Sequence, residues 1–133
     1  MQFDESTRDA RLDAIETQWG ANAVLKIRTG APPATCAAID QGVALAAMTL
    51  PADPMAQAAS GQKAKQGTWQ TLSALATGTP GHYRVYLADG VTCKAQGACS
   101  GPSGSGEMKL DTETITAAQK VTVVTFTMTE PAA

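Results

Sequence analysis

Aromatic residues are scarce in this chain: two Phe, two Tyr and two Trp among 133 residues. Alanine supplies much of the 44% apolar content, so the expected core is thin and assembled from Val, Leu, Ile and Met. Histidine occurs once, at His82, and the three cysteines, Cys36, Cys93 and Cys99, form no CxxC pair. A metal centre needs more ligands than that in one place, so no metal is expected. An odd cysteine count argues against a scaffold built from disulfides. Cys93 and Cys99 flank "KAQGA", and a hairpin tip there would bring the two sulfurs together. The spacing leaves their pairing open, and two thiols on neighbouring strands suit a cytoplasmic protein better. Clustered Lys and Arg are also missing. With a net charge of −2 and no basic groove to neutralise phosphates, no nucleic-acid partner is expected. No apolar run reaches the length of a membrane span, and no charged-then-apolar leader opens the chain. The expectation is a soluble protein folded in a cytoplasm, without a membrane partner.

What is present is strand and turn chemistry behind one helix. "STRDARLDAIETQWG" places Leu12, Ile15 and Trp19 on one stripe, with Arg8, Arg11, Asp13 and Glu16 on the other faces. Ser6 or Thr7 can cap it, Asp9 imitates the acid of a capping box, and Gly20 supplies the stop. From Asn22 the period becomes two: Leu25 and Ile27 alternate with Val24, Lys26 and Arg28. Pro32 and Pro33 interrupt that ladder, and Pro51 closes a second apolar run over 43–50. Residues 52–67 read as turns and at most a short polar strand. Thr and Trp content favours a strand over 68–78. "HYRVYLADG" is a strand ending in an Asp-Gly turn, with Tyr83 and Tyr86 on opposite faces. Residues 92–99 read as two short arms, 100–106 as a Gly/Ser loop. In 121–129, Thr122, Val124, Phe126 and Met128 alternate with Val121, Val123, Thr125 and Thr127. The prediction is one domain over 1–133: a helix over 6–19, then a jelly-roll or β-sandwich of about seven to eight antiparallel strands over 22–129.

Catalysis needs a poised acid, base or nucleophile in a dry pocket, and the sequence offers no such constellation. His82 has no partner acid in its motif and reads as a surface or cross-strand residue. "SGPSGSG" lacks the strand–nucleophile–helix context of an esterase elbow and the Lys-Ser/Thr of a phosphate loop. Asp111 and Glu113 read as turn residues. No enzyme activity, catalytic residue or cofactor is expected. Sugar binding would call for an aromatic platform, which Trp19, an isolated Trp69 and two opposed tyrosines do not form. A thin core with threonine-rich strand faces suits a small subunit that gains stability in an assembly.

"STRDARLDAIETQWGANAVLKIRTGAPPA" resembles the opening of a group of small tailed-bacteriophage proteins. These begin with a Ser/Thr-x-x-Arg-x-x-Arg-Leu-Asp-x-Ile helix, followed by Gly, a Leu-x-Ile strand and a Pro-Ala turn. "SGSGEMKLDTETI" and "KVTVVTFTMT" are similar to the same group's later loop and final strand. The chain departs from the group over 51–75 and in the cysteine-flanked 92–99. The resemblance implies a capsid cement, or decoration, protein: a jelly-roll subunit on the capsid exterior of a virion assembled in the bacterial host cytoplasm. It would bind the major capsid protein and copies of itself, without catalysis or cofactor. Candidate partner contacts are Arg8, Arg11 and Glu16 on the exposed side of the helix, and the turn at Pro32 and Pro33. The alternatives are a head–tail connector or tail subunit, or a lectin-like carbohydrate-binding module.

Overall fold

The computed structural model describes residues 1–129; the last four positions of the expected 1–133 span lie outside the described residues. Helix α1 runs Glu5–Trp19. Its N-cap is Asp4, not Ser6 or Thr7: both of those are already helical, and their hydroxyls donate to the Asp4 carboxylate. Those two bonds hold the Asp4 carboxyl below the usual range, beside the positive end of the helix dipole. Leu12 and Trp19 are buried and Ile15 packs against the core, as the apolar stripe requires. Gly20, at φ 72°, ends the helix.

Eight strands follow: β1 Val24–Arg28, β2 Ala44–Thr49, β3 Gln62–Ala64, β4 Gln70–Thr71, β5 His82–Tyr86, β6 Cys93–Ser100, β7 Met108–Leu110 and β8 Val121–Thr129. They form one sheet in the order β2-β1-β5-β6-β7-β8-β3, with β4 also pairing β8. The Leu75 N–H donates to Leu45 O and the Ala74 N–H to Gln119 O. The segment after β4 therefore bridges β2 at one edge of the sheet to the turn before β8, and the sheet curls into a sandwich-like body. The fold is mainly β with an N-terminal helix, as expected.

The ladder is not wholly antiparallel. β6 and β7 run parallel through Cys99↔Met108 and Ser100↔Lys109. Residues 101–107 fold back tightly between them: the Gly106 N–H donates to Ser100 Oγ. A Cβ on Gly106 would lie 2.6 Å from Cys99 C and Ser100 N, so only glycine lets the chain double back this closely.

Four local expectations are corrected. The strand expected over 68–78 shrinks to Gln70–Thr71, because the chain beyond it leaves the β8 ladder to hydrogen-bond Leu45 and Gln119. The two arms expected over 92–99 are one continuous strand, β6. The turn lies earlier, where Asp89 Oδ1 accepts from the N–H groups of Val91 and Thr92. In β8 the two-residue alternation breaks at Val124, an extra residue between the partners of Lys109 and Leu110. This bulge turns Val121, Val123 and Phe126 inward and leaves Val124 52% exposed. Finally, the core is less aliphatic than expected. Trp19, Trp69, Tyr83 and Phe126 are all buried in it, and the Phe126 ring meets Tyr83 edge-on at 5.4 Å.

Candidate interaction surface

Three of the four acidic residues of α1 face the body. Asp9, Asp13 and Glu16 fall one turn apart on a flank beside the apolar stripe, over residues 55–63. Asp9 Oδ1 accepts from Gly61 N–H at 2.8 Å, Asp13 Oδ1 from Ala58 N–H at 3.1 Å, and Glu16 Oε2 from Met55 N–H at 3.2 Å. This irregular segment has few ladder partners, so helix carboxylates supply the acceptors its amides need. Lys63 on β3 closes the arrangement. Its Nζ lies 2.6 Å from Asp13 Oδ1 and 2.8 Å from Glu16 Oε1, and it donates to Ala56 O at 2.9 Å. Burial alone would push the Lys63 amine down, but the bonds to Asp13 and Glu16 outweigh it and raise it.

The opposite side of β1 and β5 carries a second polar cluster. β5 is buried on both faces: Tyr83 and Val85 lie in the core, while His82, Arg84 and Tyr86 lie under the loop 30–43. Thr29 and Val43 close the neck of that loop, Thr29 N–H to Val43 O and Val43 N–H to Thr29 Oγ1. Asp40 reaches back from it to Arg84 at 2.5 Å and Arg28 at 3.1 Å, and accepts from the Tyr86 hydroxyl. Burial opposes the Asp40 charge, yet the bonds from Tyr86 and Arg84 and the charge of Arg28 outweigh it and hold the carboxyl down. Arg84 also donates to Cys36 O at 2.8 Å and Ala38 O at 3.2 Å. His82 Nδ1 bonds Gly30 O at 2.9 Å, an approach that a Cβ on Gly81 would block by colliding with the Gly30 backbone. A disulfide between Cys36 and Cys93 ties loop to strand, and Cys99 is the buried free thiol. The pairing of Cys93 with Cys99 left open by the sequence is thus replaced by one across 57 residues. Of the two places expected for His82, surface or cross-strand, it takes the second: it is buried and paired with Arg28 and Ala98 on the neighbouring strands. Residues 36–40, Arg84 and Val91 enclose an open cleft of about 330 Å³, with Ile39 85% and Val91 78% exposed at its edge.

The five candidate contact residues are divided between these two places. Arg11 is exposed with its guanidinium 4.9 Å from the Phe3 ring centroid, and Arg8 is half-buried. Glu16, expected on the outward side, is turned inward onto Lys63 and Met55. Pro32 is half-buried, and Pro33 is buried with its carbonyl accepting from Gln96 Nε2 at 2.6 Å. Among the described residues no group of three or more His, Cys, Asp and Glu could hold a metal ion. No described helix is long and apolar enough to cross a membrane.

No protein-family model, curated protein or solved structure matches the chain.

Sequence reasoning missed Lys63, Asp40 and Arg84, each of which depends on a partner distant in the chain. The one local hint was Arg84 itself, a cation inside an otherwise apolar and aromatic strand. Such a residue needs a carboxylate or several carbonyls from elsewhere.

Proposed function

We propose that the protein is a structural subunit of a bacteriophage virion, a capsid cement protein that binds the major capsid protein on the shell exterior. The feature that supports this reading is the stretch 6–33, which resembles in sequence the opening of small tailed-phage proteins. It forms a helix, a strand and a Pro-Pro entry to a loop, in that order. The surface supports an assembly role as well. Both charged clusters are engaged internally, and the large apolar side chains Ile39 and Val91 stand exposed at one cleft, where an interface would cover them. Both indoles are buried, which favours this reading over a lectin-like module that stacks sugars on aromatic faces.

A subunit of this kind acts by adding buried interface across seams of the shell. A specific contact needs about 1,000 Å² or more, and many copies act together. Arg8, Arg11 and Pro32 remain the candidate contacts from the helix and turn, while Glu16 and Pro33 are replaced by Ile39 and Val91. Quantitative mass spectrometry of purified virions tests the role. A copy number that tracks the major capsid protein is expected, whereas that of a single ring would make the protein a connector or tail part.

A further inference from the structure

The loop 30–43 has little apolar anchorage. Pro33 is its one buried residue; otherwise the loop is held by its carbonyls, by Asp40 and by one covalent bond. The covalent bond joins Cys36 in the loop to Cys93 at the start of β6, with the Cα atoms 5.3 Å apart. Directly beneath lie His82 at 0% and Arg84 at 1% exposure, cationic or polar groups that depend on the loop for partners. Hydrogen bonds from Arg84 to Cys36 O and Ala38 O are exchangeable for bonds to water, and the disulfide is not.

We propose that Cys36–Cys93 is a redox-operated clasp: oxidised, it straps loop 30–43 over Arg84 and His82, and reduction by a dithiol releases the loop and uncovers them. The exchange balances. A thiolate of the dithiol attacks one cysteine sulfur, forming a mixed disulfide and expelling the other cysteine as a thiolate. The dithiol's second thiolate then attacks its own sulfur in that mixed disulfide and expels the first cysteine. Cys36 and Cys93 take up two electrons and two protons, and the dithiol leaves as a cyclic disulfide. Access is available, since both cysteines are only half-buried and Cys36 lines the open cleft. The third thiol stays out of the exchange. Cys99 is 3% exposed, and burial pushes it up to about 12, so it holds its proton at neutral pH and is a poor nucleophile. The clasp does not rest on the proposed capsid role.

Chemical accessibility on the full chain tests this. Phenylglyoxal modifies exposed guanidinium groups, and mass spectrometry of peptides gives the rate at Arg84 relative to Arg11 on the same chain. Iodoacetamide applied alongside reports the cysteines. In the oxidised protein Arg84 is expected to be protected, with no cysteine labelled. After dithiothreitol, Cys36 and Cys93 label, Cys99 does not, and the Arg84 rate rises at least about tenfold, as local opening without global unfolding requires. A Cys36→Ala/Cys93→Ala variant should show the fast Arg84 rate without reductant. An unchanged Arg84 rate on reduction, or a variant as protected as the oxidised protein, would mean that the polar contacts alone hold the loop. Labelling of Cys99 in step with Arg84 would make the disulfide a staple of the whole fold. Each of these results overturns the clasp.

Discussion

A lysine at 2% exposure is tolerable only because three acceptors surround it. Lys63 meets Asp13, Glu16 and Ala56 O, and removing the ammonium would leave two carboxylates, one turn apart on α1, without the cation they share. Lys63→Met should cost about 1–3 kcal/mol: less than a fully buried pair, because Asp13 stays 42% exposed and regains water. A fall in the urea midpoint at constant slope would show it. The same residues predict the pH dependence. Bonds to Lys63 and Ala58 hold Asp13 below its usual range, so its contribution is present above about pH 4 and is lost as pH falls through the lowered value. Lys63 is raised, so its contribution is full below about pH 10 and is lost as pH rises further. Urea midpoints should therefore form a plateau across neutral pH, falling at both ends. In Lys63→Met the alkaline fall should shrink.

At the scale of elements, α1 acts as a lid that also supplies acceptors. Its apolar stripe enters the core through Leu12, Ile15 and Trp19, and its acidic flank ties down residues 55–61. Leu12→Asp puts an unpaired charge at a site of 1% exposure and should destabilise by about 3 kcal/mol or more. Loss of helical circular dichroism together with a lowered Tm would register this; a normal melt would mean that the stripe is not packed. The stripe was legible because helix period is local: three residues within eight positions state it. The Asp-Gly turn after β5 was legible for the same reason. The β8 bulge was not, since the extra residue at Val124 is defined only against Lys109 and Leu110 on a neighbouring strand. Nor was the inward turn of Glu16, whose partner lies on β3. Periodicity finds the stripe and leaves the role of each flanking charge to the partner that folding brings to it.

At the scale of the molecule, the polar clusters lie on different sides of the β1–β5 layer and both turn inward. The helix carboxylates satisfy an irregular segment, and the arginines of β1 and β5 gather a loop. The outward side chains are mixed and include Arg11 on the helix, Ile39 and Val91 at the cleft, and Leu72 and Leu75 after β4. Ile39 lies between Cys36, bonded to Cys93, and Asp40, paired with Arg84 and Arg28, so the shape offered to a partner depends on the loop being held. The most direct measurement for the capsid reading is co-sedimentation of the purified protein with expanded shells that lack it, followed by thermal challenge of the pelleted shells. The protein should pellet saturably, and loaded shells should survive to a higher temperature than bare ones. Protein that stays in the supernatant at every concentration, with shells melting unchanged, would contradict the proposed role.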